Sequence, residues 1–320
     1  SYLTGWRAPN GDGLYVRTFH GGDQPVMRLL PLDGDAEVEV EVHETPALLT
    51  LEAEAGRIEV CFDGTRTLRF RGHGLGLRLE PAVRTVAYAT DEAHVTFNMR
   101  PVTRRYGIER LAGEIEARGL WQAGGDGPAE VFVDLQPDRD GRWEAAIDVH
   151  TSTWVVSARP DFDTCRRQAA QDFEAWLAAL PPAPDDLAET REVAVYVDWS
   201  AVVEPAGLLK RPTMLMSKNW MTNVWSWDHC FNAIALAEGV NDAAWDQLLV
   251  VFDHQDGYGA YPDAMNDVMK HYNFSKPPIH GWAVLEVLRR HPAGVSEARL
   301  EGVAASLAVW TDWWIEHPRL

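Results

Sequence analysis

The sequence predicts two kinds of domain in one chain, an antiparallel β-sandwich followed by an all-α domain. Two observations predict this order. Apolar residues alternate with polar ones in short segments up to about residue 157, and from about residue 161 onward they recur every three or four positions. Length is the third observation, since 320 residues, 46% of them hydrophobic, suffice for about two domains.

The first part of the chain divides into short segments bounded by glycine, aspartate or proline. These segments are GLYVRTF, AEVEVEVHE, ALLTLEAEAG, RIEVCF, TLRFRG, GLGLRLE, RTVAYAT and HVTFNM, followed by VFVDL and RWEAAIDVH. Because no helical segment separates them, we expect them to form antiparallel strands. We therefore place a β-sandwich over residues 1–157.

The apolar period changes at residues 161–180, DFDTCRRQAAQDFEAWLAAL. This segment predicts an amphipathic helix that ends at Pro181 and Pro182. With the following PPAPDD it forms a predicted linker over residues 158–185. Residues 186–320 form the predicted all-α domain, with helical stretches at 186–203, 227–239, 242–254, 278–291 and 295–316.

Charge excludes several classes of partner. The chain carries 48 acidic and 29 basic residues, a formal net charge of −19, so we expect neither nucleic acid nor an anionic membrane as a partner. The sequence also lacks the run of about 18 uncharged apolar residues that a membrane span requires. Cys61, Cys165 and Cys230 are scattered and odd in number, which indicates a reducing, cytoplasmic location. We assign no oligomeric state.

Several catalytic motifs are absent from the sequence. No lysine follows a glycine as a P-loop requires, and no G-x-S-x-G, H-E-x-x-H or C-x-x-C string occurs. The glycines of GHGLGL, residues 72–77, fall within a run of strands and predict turns or bulges, not a dinucleotide site. We therefore expect no cofactor and disfavour phosphotransferases, serine hydrolases and zinc proteases.

The histidines of the helical half predict no metal site. His254, His271, His280 and His291 are separated by 17, 9 and 11 residues, which matches no local ligand pattern. The group at 263–267, with two aspartates and an asparagine, lacks the alternate-position spacing and the closing glutamate of a calcium loop. No metal is assigned.

The segment MSKNWMTNVWSWDHCF, residues 216–231, concentrates three of the 14 tryptophans within eight residues and ends them on Asp228. A pyranose ring presents an apolar C–H face to indole and a fringe of hydroxyl groups to carboxylates, so Trp225, Trp227 and Asp228 form a candidate sugar site. The alternative is that the rings are core and Asp228 merely begins a helix. If the segment is a sugar site, we expect Ser226 to cap the helix and the helix dipole to favour an ionised Asp228.

Two further loops, FDHQDGYGAYPDAMND at 252–267 and the start of NFSKPPIHGWAVLEVL at 273–288, are rich in polar groups and alternate with helices. We expect them to lie at the same end of the helical bundle as Asp228. WSWDHCFNAIALA, Gln255 with Asp256-Gly257 and Pro262, and SKPPIHGWAV resemble glycoside hydrolase family 63. Within that family they are most similar to bacterial glucosylglycerate and mannosylglycerate hydrolases. The resemblance covers about residues 210–316.

The resemblance implies an (α/α)6 barrel with an inverting α-glycosidase site. It places Trp225, Trp227 and Asp228 around the glycosyl ring, with Gln255 and Asp256 as further binding residues. Lys276 would lie near the Pro277-Pro278 turn; some relatives carry glutamine before the two prolines, which leaves the role of Lys276 open.

Inverting hydrolysis needs a carboxylic acid and a carboxylate about 6.5–9.5 Å apart. The resemblance places the acid in a segment after the equivalent of WTDWWIEHP and the base far downstream, beyond Leu320. A barrel of six helical hairpins also needs twelve helices, and residues 186–320 supply about five. We therefore expect an N-terminal portion of a longer enzyme, inactive alone. The alternative is that 320 residues is the natural length, which would make the helical part a half-barrel with an exposed inner face. No catalytic role is assigned to Asp253, Asp256, Asp263 or Glu286.

The predicted function is hydrolysis of an α-glucosidic or α-mannosidic bond in a small saccharide or glycoside. The alternatives are a non-catalytic carbohydrate-binding or degenerate relative, and a related debranching enzyme or phosphorylase. A glycerate aglycone would require a basic group near the site, for which Lys218, Arg211 and Lys276 are the candidates.

Overall fold

The computed structural model describes residues 1–7, 13–122, 130–218, 221–292 and 295–317. Contacts between Cα atoms divide the chain into two units. The β unit comprises Tyr2–Thr18 and Gln24–Asp172, and the helical unit comprises Ser1, Phe19–Asp23 and Phe173–Leu320. The division falls within the helix that the sequence predicts as part of a linker.

The β unit is built from short strands. They are β1 Leu3–Arg7, β2 Leu14–Thr18, β3 Gln24–Asp33, β4 Ala36–Glu37, β5 Glu41–Glu44, β6 Leu49–Ala53, β7 Gly56–Asp63, β8 Thr67–His73, β9 Gly76–Pro81, β10 Thr85–Ala89, β11 His94–Met99, β12 Arg104–Ala112, β13 Glu114–Arg118, β14 Phe132–Gln136 and β15 Arg142–His150.

Two sheets enclose one apolar core. One sheet has the order β1-β2-β3-β9-β14-β13, with β4 paired to β3, and the other has the order β10-β11-β12-β15-β8-β7-β6-β5. The inward residues of both sheets pack together, among them Met27 and Leu79 from the first and Phe70, Ile108 and Trp143 from the second. Neighbouring strands are antiparallel throughout the described part of both sheets. The predicted β-sandwich is confirmed.

Two details of the strand prediction are wrong. The alternating segment AEVEVEVHE forms two short strands, β4 and β5, in different sheets, because residues 38–40 between them are not in a strand. The strands β1, β3, β12 and β13 lie outside the predicted segments. The glycines of GHGLGL lie in strands and in a turn. Gly74 lies in the turn between β8 and β9 and has a φ of +78°, a backbone conformation that residues other than glycine rarely adopt.

The helices follow as predicted beyond residue 160. They are α1 Phe162–Ala179, α2 Ala188–Ala201, α3 Asp228–Leu236, α4 Asn241–Phe252, α5 His280–Arg290 and α6 Glu297–Glu316. Asp161 accepts a hydrogen bond from the Thr164 amide at the start of α1, and Ser296 does the same for Arg299 at the start of α6. The prediction of helices after the β-sandwich is confirmed.

The helical unit buries a core of its own. It includes Phe173 from α1, Cys230 from α3, Trp245 from α4 and Val287 from α5. Five two-residue strands lie in the loops between these helices: β16 Val202–Val203, β17 Thr213–Met214, β18 Val224–Trp225, β19 Ala264–Met265 and β20 Lys270–His271. They pair as β16-β17 and β18-β19-β20 and thereby fix the loops that precede α3 and α5.

Candidate functional site

A strand pair brings together two polar segments that are distant in the sequence. Trp225 in β18 pairs with Ala264 in β19, and the Ser226 amide donates to the Asp263 carbonyl at 3.1 Å. The tryptophan-rich segment before α3 is therefore joined to the loop before α5, within the helical unit. Trp220, which the sequence analysis counted with this segment, lies outside the described residues.

An ion pair lies at this junction. Lys276 Nζ is 2.8 Å from Asp263 Oδ1, and the Asp263 side chain is buried. The same ammonium lies 5.1 Å from the centroid of the Trp225 ring, within cation–π range. The buried Trp225 Nε1 has no hydrogen-bond partner among the described residues. Lys276 and Trp225 are thus brought together as predicted, with Asp263 added.

Asp228 is the first residue of α3 and is partly buried. Burial raises the pKa of the Asp228 carboxyl. Its own backbone amide, the Lys276 charge and a hydrogen bond from the Trp227 side chain lower this pKa, and Asp263 raises it. Burial is the largest influence, so the net direction of the Asp228 pKa is upward. One expectation is wrong: the N-cap residue is Trp227, with no side chain accepting a hydrogen bond, so Ser226 is not the cap.

Trp227 begins an exposed row of aromatic rings, which we call the aromatic surface. The Trp227 and Phe231 ring centroids are 6.1 Å apart, and Phe231 and Trp282 are 6.0 Å apart, both edge to face. Trp227, Phe231 and Trp282 are 36%, 49% and 46% exposed. Trp227 is therefore available to a ligand, as the sugar hypothesis requires. Phe231 and Trp282 were missed, although Phe231 lies one helical turn after Trp227.

The Gln255 and Asp256 side chains hold their own loop in place. The Gln255 amide donates to the carbonyls of Gly259 and Ser306 and accepts from the Ser306 hydroxyl. Asp256 Oδ1 accepts from the amides of Tyr258 and Ala260, each at 2.9 Å. The structure thus joins these two residues to α6 and to a turn, not to the Asp228 carboxylate. Their binding roles stay predictions.

The remaining candidates for recognising an anionic aglycone are already engaged. Arg211 makes a two-pronged contact with Asp253, at 2.6 and 3.0 Å. Lys218 is partly buried, donates to the Ser1 carbonyl at 3.1 Å, and has its pKa lowered to about 8 by desolvation. Both cations therefore already have partners within the helical unit.

The side chains of the three polar residues between 263 and 267 have hydrogen-bond or ion-pair partners within the protein. Asp263 pairs with Lys276, while Asn266 accepts from the Val268 and Met269 amides. Asp267 accepts from the Gly21 amide and contacts His20 Nδ1 at 2.8 Å. In the described part of the chain, no group of three or more His, Cys, Asp or Glu side chains could hold a metal ion. Nor does any described helix have the length and apolar character needed to cross a bilayer.

His229 holds the backbone on which the site is built. This histidine is fully buried, with Nδ1 3.0 Å from the Trp225 carbonyl and Nε2 2.8 Å from the Met214 carbonyl. Burial lowers its pKa to about 4, so the neutral ring donates one hydrogen bond at neutral pH. His229 is a residue that the sequence analysis missed.

We expect His229→Phe to lower the free energy of unfolding of the helical unit by about 1–3 kcal/mol. The substitution keeps a planar ring in the core but leaves a buried carbonyl without its donor. Urea denaturation at pH 7 measures this loss. The exposed His271 provides a matched control, and His271→Phe should leave the unfolding midpoint unchanged. Equal midpoints for wild type and His229→Phe would contradict the assignment.

Part of the chain is similar to known glycoside hydrolases. Residues 221–320 match the sequence model of a family described as the mannosylglycerate hydrolase MGH1-like glycoside hydrolase domain. The match covers under a third of the chain and includes the Asp228, Asp263 and Lys276 region. It supports the resemblance to glycoside hydrolases without naming family 63. Among curated proteins, none matches significantly.

Three solved structures share the fold at low sequence identity. A bacterial glucoamylase in complex with acarbose has a TM-score of 0.57 and 10% identity, covering 94% of this chain and 53% of its own. An inverting family 92 mannosidase from Bacteroides thetaiotaomicron has a TM-score of 0.55 and 9% identity, covering 91% and 47%. A second family 92 glycosyl hydrolase has a TM-score of 0.51 and 11% identity, covering 96% and 52%. The chain thus spans about half the length of these structures, and the likeness concerns the fold.

Proposed function

We propose that the whole protein is a glycoside hydrolase that cleaves an α-glucosidic or α-mannosidic bond with inversion, and that this chain holds the glycosyl ring of the substrate. The finer assignments to family 63, an (α/α)6 barrel and a cytoplasmic location belong to this proposal. Its partner is a small saccharide or glycoside.

One observation carries the proposal: a partly buried carboxylate follows directly on an exposed indole, beside a buried ion pair. Asp228 accepts hydrogen bonds from sugar hydroxyl groups, and Trp227 offers its ring face to the C–H face of the sugar. Because Lys276 occupies one side of Trp225, the stacking role falls to Trp227. Gln255 and Asp256 hold the neighbouring loop in place, and their binding of the substrate belongs to the same proposal.

Catalysis by inversion needs a protonated acid and a base with a water molecule between them. Asp263 suits neither role, because it is buried and bound to Lys276. Glu286 is paired with Arg289 and Arg290, and these contacts lower its pKa. We therefore propose binding roles for this chain and assign neither catalytic role to these two carboxylates.

The function is tested by incubating the whole protein with methyl α-D-glucopyranoside, methyl α-D-mannopyranoside and their 2-O-glycerate analogues. Proton NMR during the first turnovers should show the β-anomer of the released sugar, which is the product of inversion. First release of the α-anomer would contradict inversion. Binding without release would favour the carbohydrate-binding alternative, and neither binding nor release would overturn the proposal.

We expect Trp227→Ala to weaken binding of the preferred methyl glycoside by about 10-fold, because the substitution removes the stacking surface of one ring. Isothermal titration calorimetry measures the change. Trp121 in the β unit is 57% exposed and provides the matched control, so Trp121→Ala should bind as wild type does. Equal affinities for both variants and the wild type would exclude Trp227 from the site.

A further inference from the structure

The aromatic surface is exposed although the two helices that carry it bury their other faces. α3 and α5 contribute Ala233 and Ala283, among others, to the core of the helical unit. Phe231 on α3 and Trp282 on α5 are about half exposed, and their ring centroids are 6.0 Å apart. Single exposed apolar residues are common, whereas contiguous exposed apolar patches mark binding sites. A ligand for these rings is therefore worth seeking.

The aromatic surface continues the candidate sugar site. Trp227 belongs to both, because it directly precedes Asp228 and its ring centroid lies 6.1 Å from that of Phe231. Beyond Trp282 the row is extended by Leu285, which is 54% exposed and lies about one turn further along α5. A ligand that stacks on Trp227 and extends along the row meets Phe231 next and then Trp282.

The charges around this surface disfavour an anionic ligand. Asp228 lies beside Trp227, and the chain as a whole has a formal net charge of −19, so a carboxylate would meet a repulsive field. On α5, the two arginines that follow Trp282 are both paired with Glu286. The three cations considered for an anionic aglycone also have partners in the helical unit; they are Arg211, Lys218 and Lys276. The described residues thus offer rings, and not free positive charge, to the part of a substrate beyond the glycosyl ring.

We propose that Phe231 and Trp282 are specificity-determining residues that bind the group attached to the glycosyl ring, and that this group is an uncharged second sugar ring. A pyranose has an apolar C–H face that packs against aromatic rings, and it carries no charge that needs a cation. The inference deepens the proposed function and rests on it for the position of the glycosyl ring at Trp227. It names the substrate class as an α-linked disaccharide or the end of a longer saccharide.

The experiment measures binding to the whole protein by isothermal titration calorimetry. The ligands are sulfur-linked α-glycosides, whose glycosidic bond resists hydrolysis, in a glucose series and a mannose series. Within each series the group attached to the glycosyl ring is methyl, glycerol, glycerate or a second hexose. Glycerol and glycerate are similar in size, so their comparison isolates the effect of the carboxylate.

The second hexose is expected to improve binding by about 10-fold over the methyl ligand in the wild type. Phe231→Ala and Trp282→Ala should each remove about threefold or more of this gain and leave binding of the methyl ligand unchanged. Trp282→Phe keeps a ring and should retain most of the gain. The matched control is Trp121→Ala, at a 57% exposed position in the β unit, which should bind every ligand as the wild type does. The glycerate ligand should bind no more tightly than the glycerol ligand.

A second measurement tests whether the aromatic surface is open in the whole protein. Trp282→Cys places a thiol on this surface, Trp121→Cys places one at the control position, and the three native cysteines are buried. Mass spectrometry should show that both new thiols react with N-ethylmaleimide at similar rates. Protection of residue 282 at every protein concentration would show that another part of the polypeptide covers the surface. Protection that increases with protein concentration would show that a second copy does, and either result overturns the proposal.

The outcomes separate the two proposals. The roles of Phe231 and Trp282 are overturned if the methyl ligand binds but neither alanine variant weakens binding of the hexose ligand. They are also overturned if glycerate binds about 10-fold more tightly than glycerol, and in both cases the proposed hydrolysis stands. If the hexose ligand binds through these rings but its oxygen-linked counterpart is not cleaved, the proposed hydrolysis fails and the inference stands. Binding of none of the ligands overturns both.

Discussion

Asp228→Asn is expected to lower kcat/KM of the whole protein on an unactivated α-glycoside by about 100-fold, which corresponds to about 3 kcal/mol of transition-state binding. Asparagine keeps the size of the side chain but replaces one acceptor oxygen by a donor and removes the charge. Steady-state rates over a range of glycoside concentrations measure the effect. Asp242→Asn provides a matched control, since it makes the same change at an exposed position in the first turn of α4.

The folded state should not suffer from this substitution. Burial raises the pKa of Asp228 above its unfolded value, so ionisation of Asp228 opposes folding at pH above both values. The cost is present near pH 7 and disappears as the pH falls through the Asp228 midpoint. Asp228→Asn should therefore unfold at the same temperature as wild type or slightly above it at pH 7. A loss of activity without a loss of stability is the behaviour expected of a binding residue.

The raised pKa of Asp228 also suits a general acid, so the role needs a measurement of its own. A 4-nitrophenyl glycoside has a leaving group that departs with little protonation, and it rescues an enzyme that lacks its acid. If Asp228 binds the sugar, Asp228→Asn should be impaired to a similar degree on both substrates. Near-wild-type rates on the aryl glycoside would identify Asp228 as the acid and overturn the binding role.

The fold prediction depends on periodicity, because a regular spacing of apolar residues indicates that one face of a strand or helix is buried. The alternating segment RWEAAIDVH forms β15 in the middle of its sheet, and the apolar spacing of residues 161–180 forms α1. β3 is a strand that the apolar periodicity does not predict. Its sequence QPVMRLLPLD contains Pro25 and Pro31, and its burial on both faces removes the alternation. The loss of the signal is therefore a consequence of its central place in the sheet, between β2 and β9.

The site was predictable only in its local part. Trp225, Trp227 and Asp228 stand within four residues, so their chemistry is visible in the sequence. The partnership of Asp263 with Lys276 depends on β18 and β19, which are two residues long and carry no periodic pattern. Gln255 has contacts that the sequence does not predict. Its amide joins a loop to α6, and its binding role stays a prediction.

The largest expected effect on stability lies in the β unit, at Trp143. Its side chain is fully buried in the sandwich core, and its Nε1 donates to the Leu75 carbonyl at 2.7 Å. Trp143→Ala should lower the free energy of unfolding by about 3–5 kcal/mol, because a large cavity replaces the ring and the carbonyl loses its donor. Guanidinium denaturation followed by far-ultraviolet circular dichroism measures the loss. Trp121→Ala, at an exposed position, should cost well under 1 kcal/mol.

Gly72 shows why the sequence GHGLGL needs a glycine opposite this ring. Gly72 and Trp143 are direct partners across β8 and β15, and a Cβ at Gly72 would lie 2.0 Å from Trp143 Nε1. Gly72 has no positive φ, so its substitution tests space and not backbone strain. Gly72→Ala should destabilise the wild type but cost less in the Trp143→Ala background, where the cavity accepts the methyl group. We expect a coupling of about 1–3 kcal/mol in the double-mutant cycle. Gly302 in α6 has open space around its Cβ position, and Gly302→Ala should be neutral or stabilising. Equal costs of Gly72→Ala in both backgrounds would show that Trp143 is not the neighbour that excludes a side chain at residue 72.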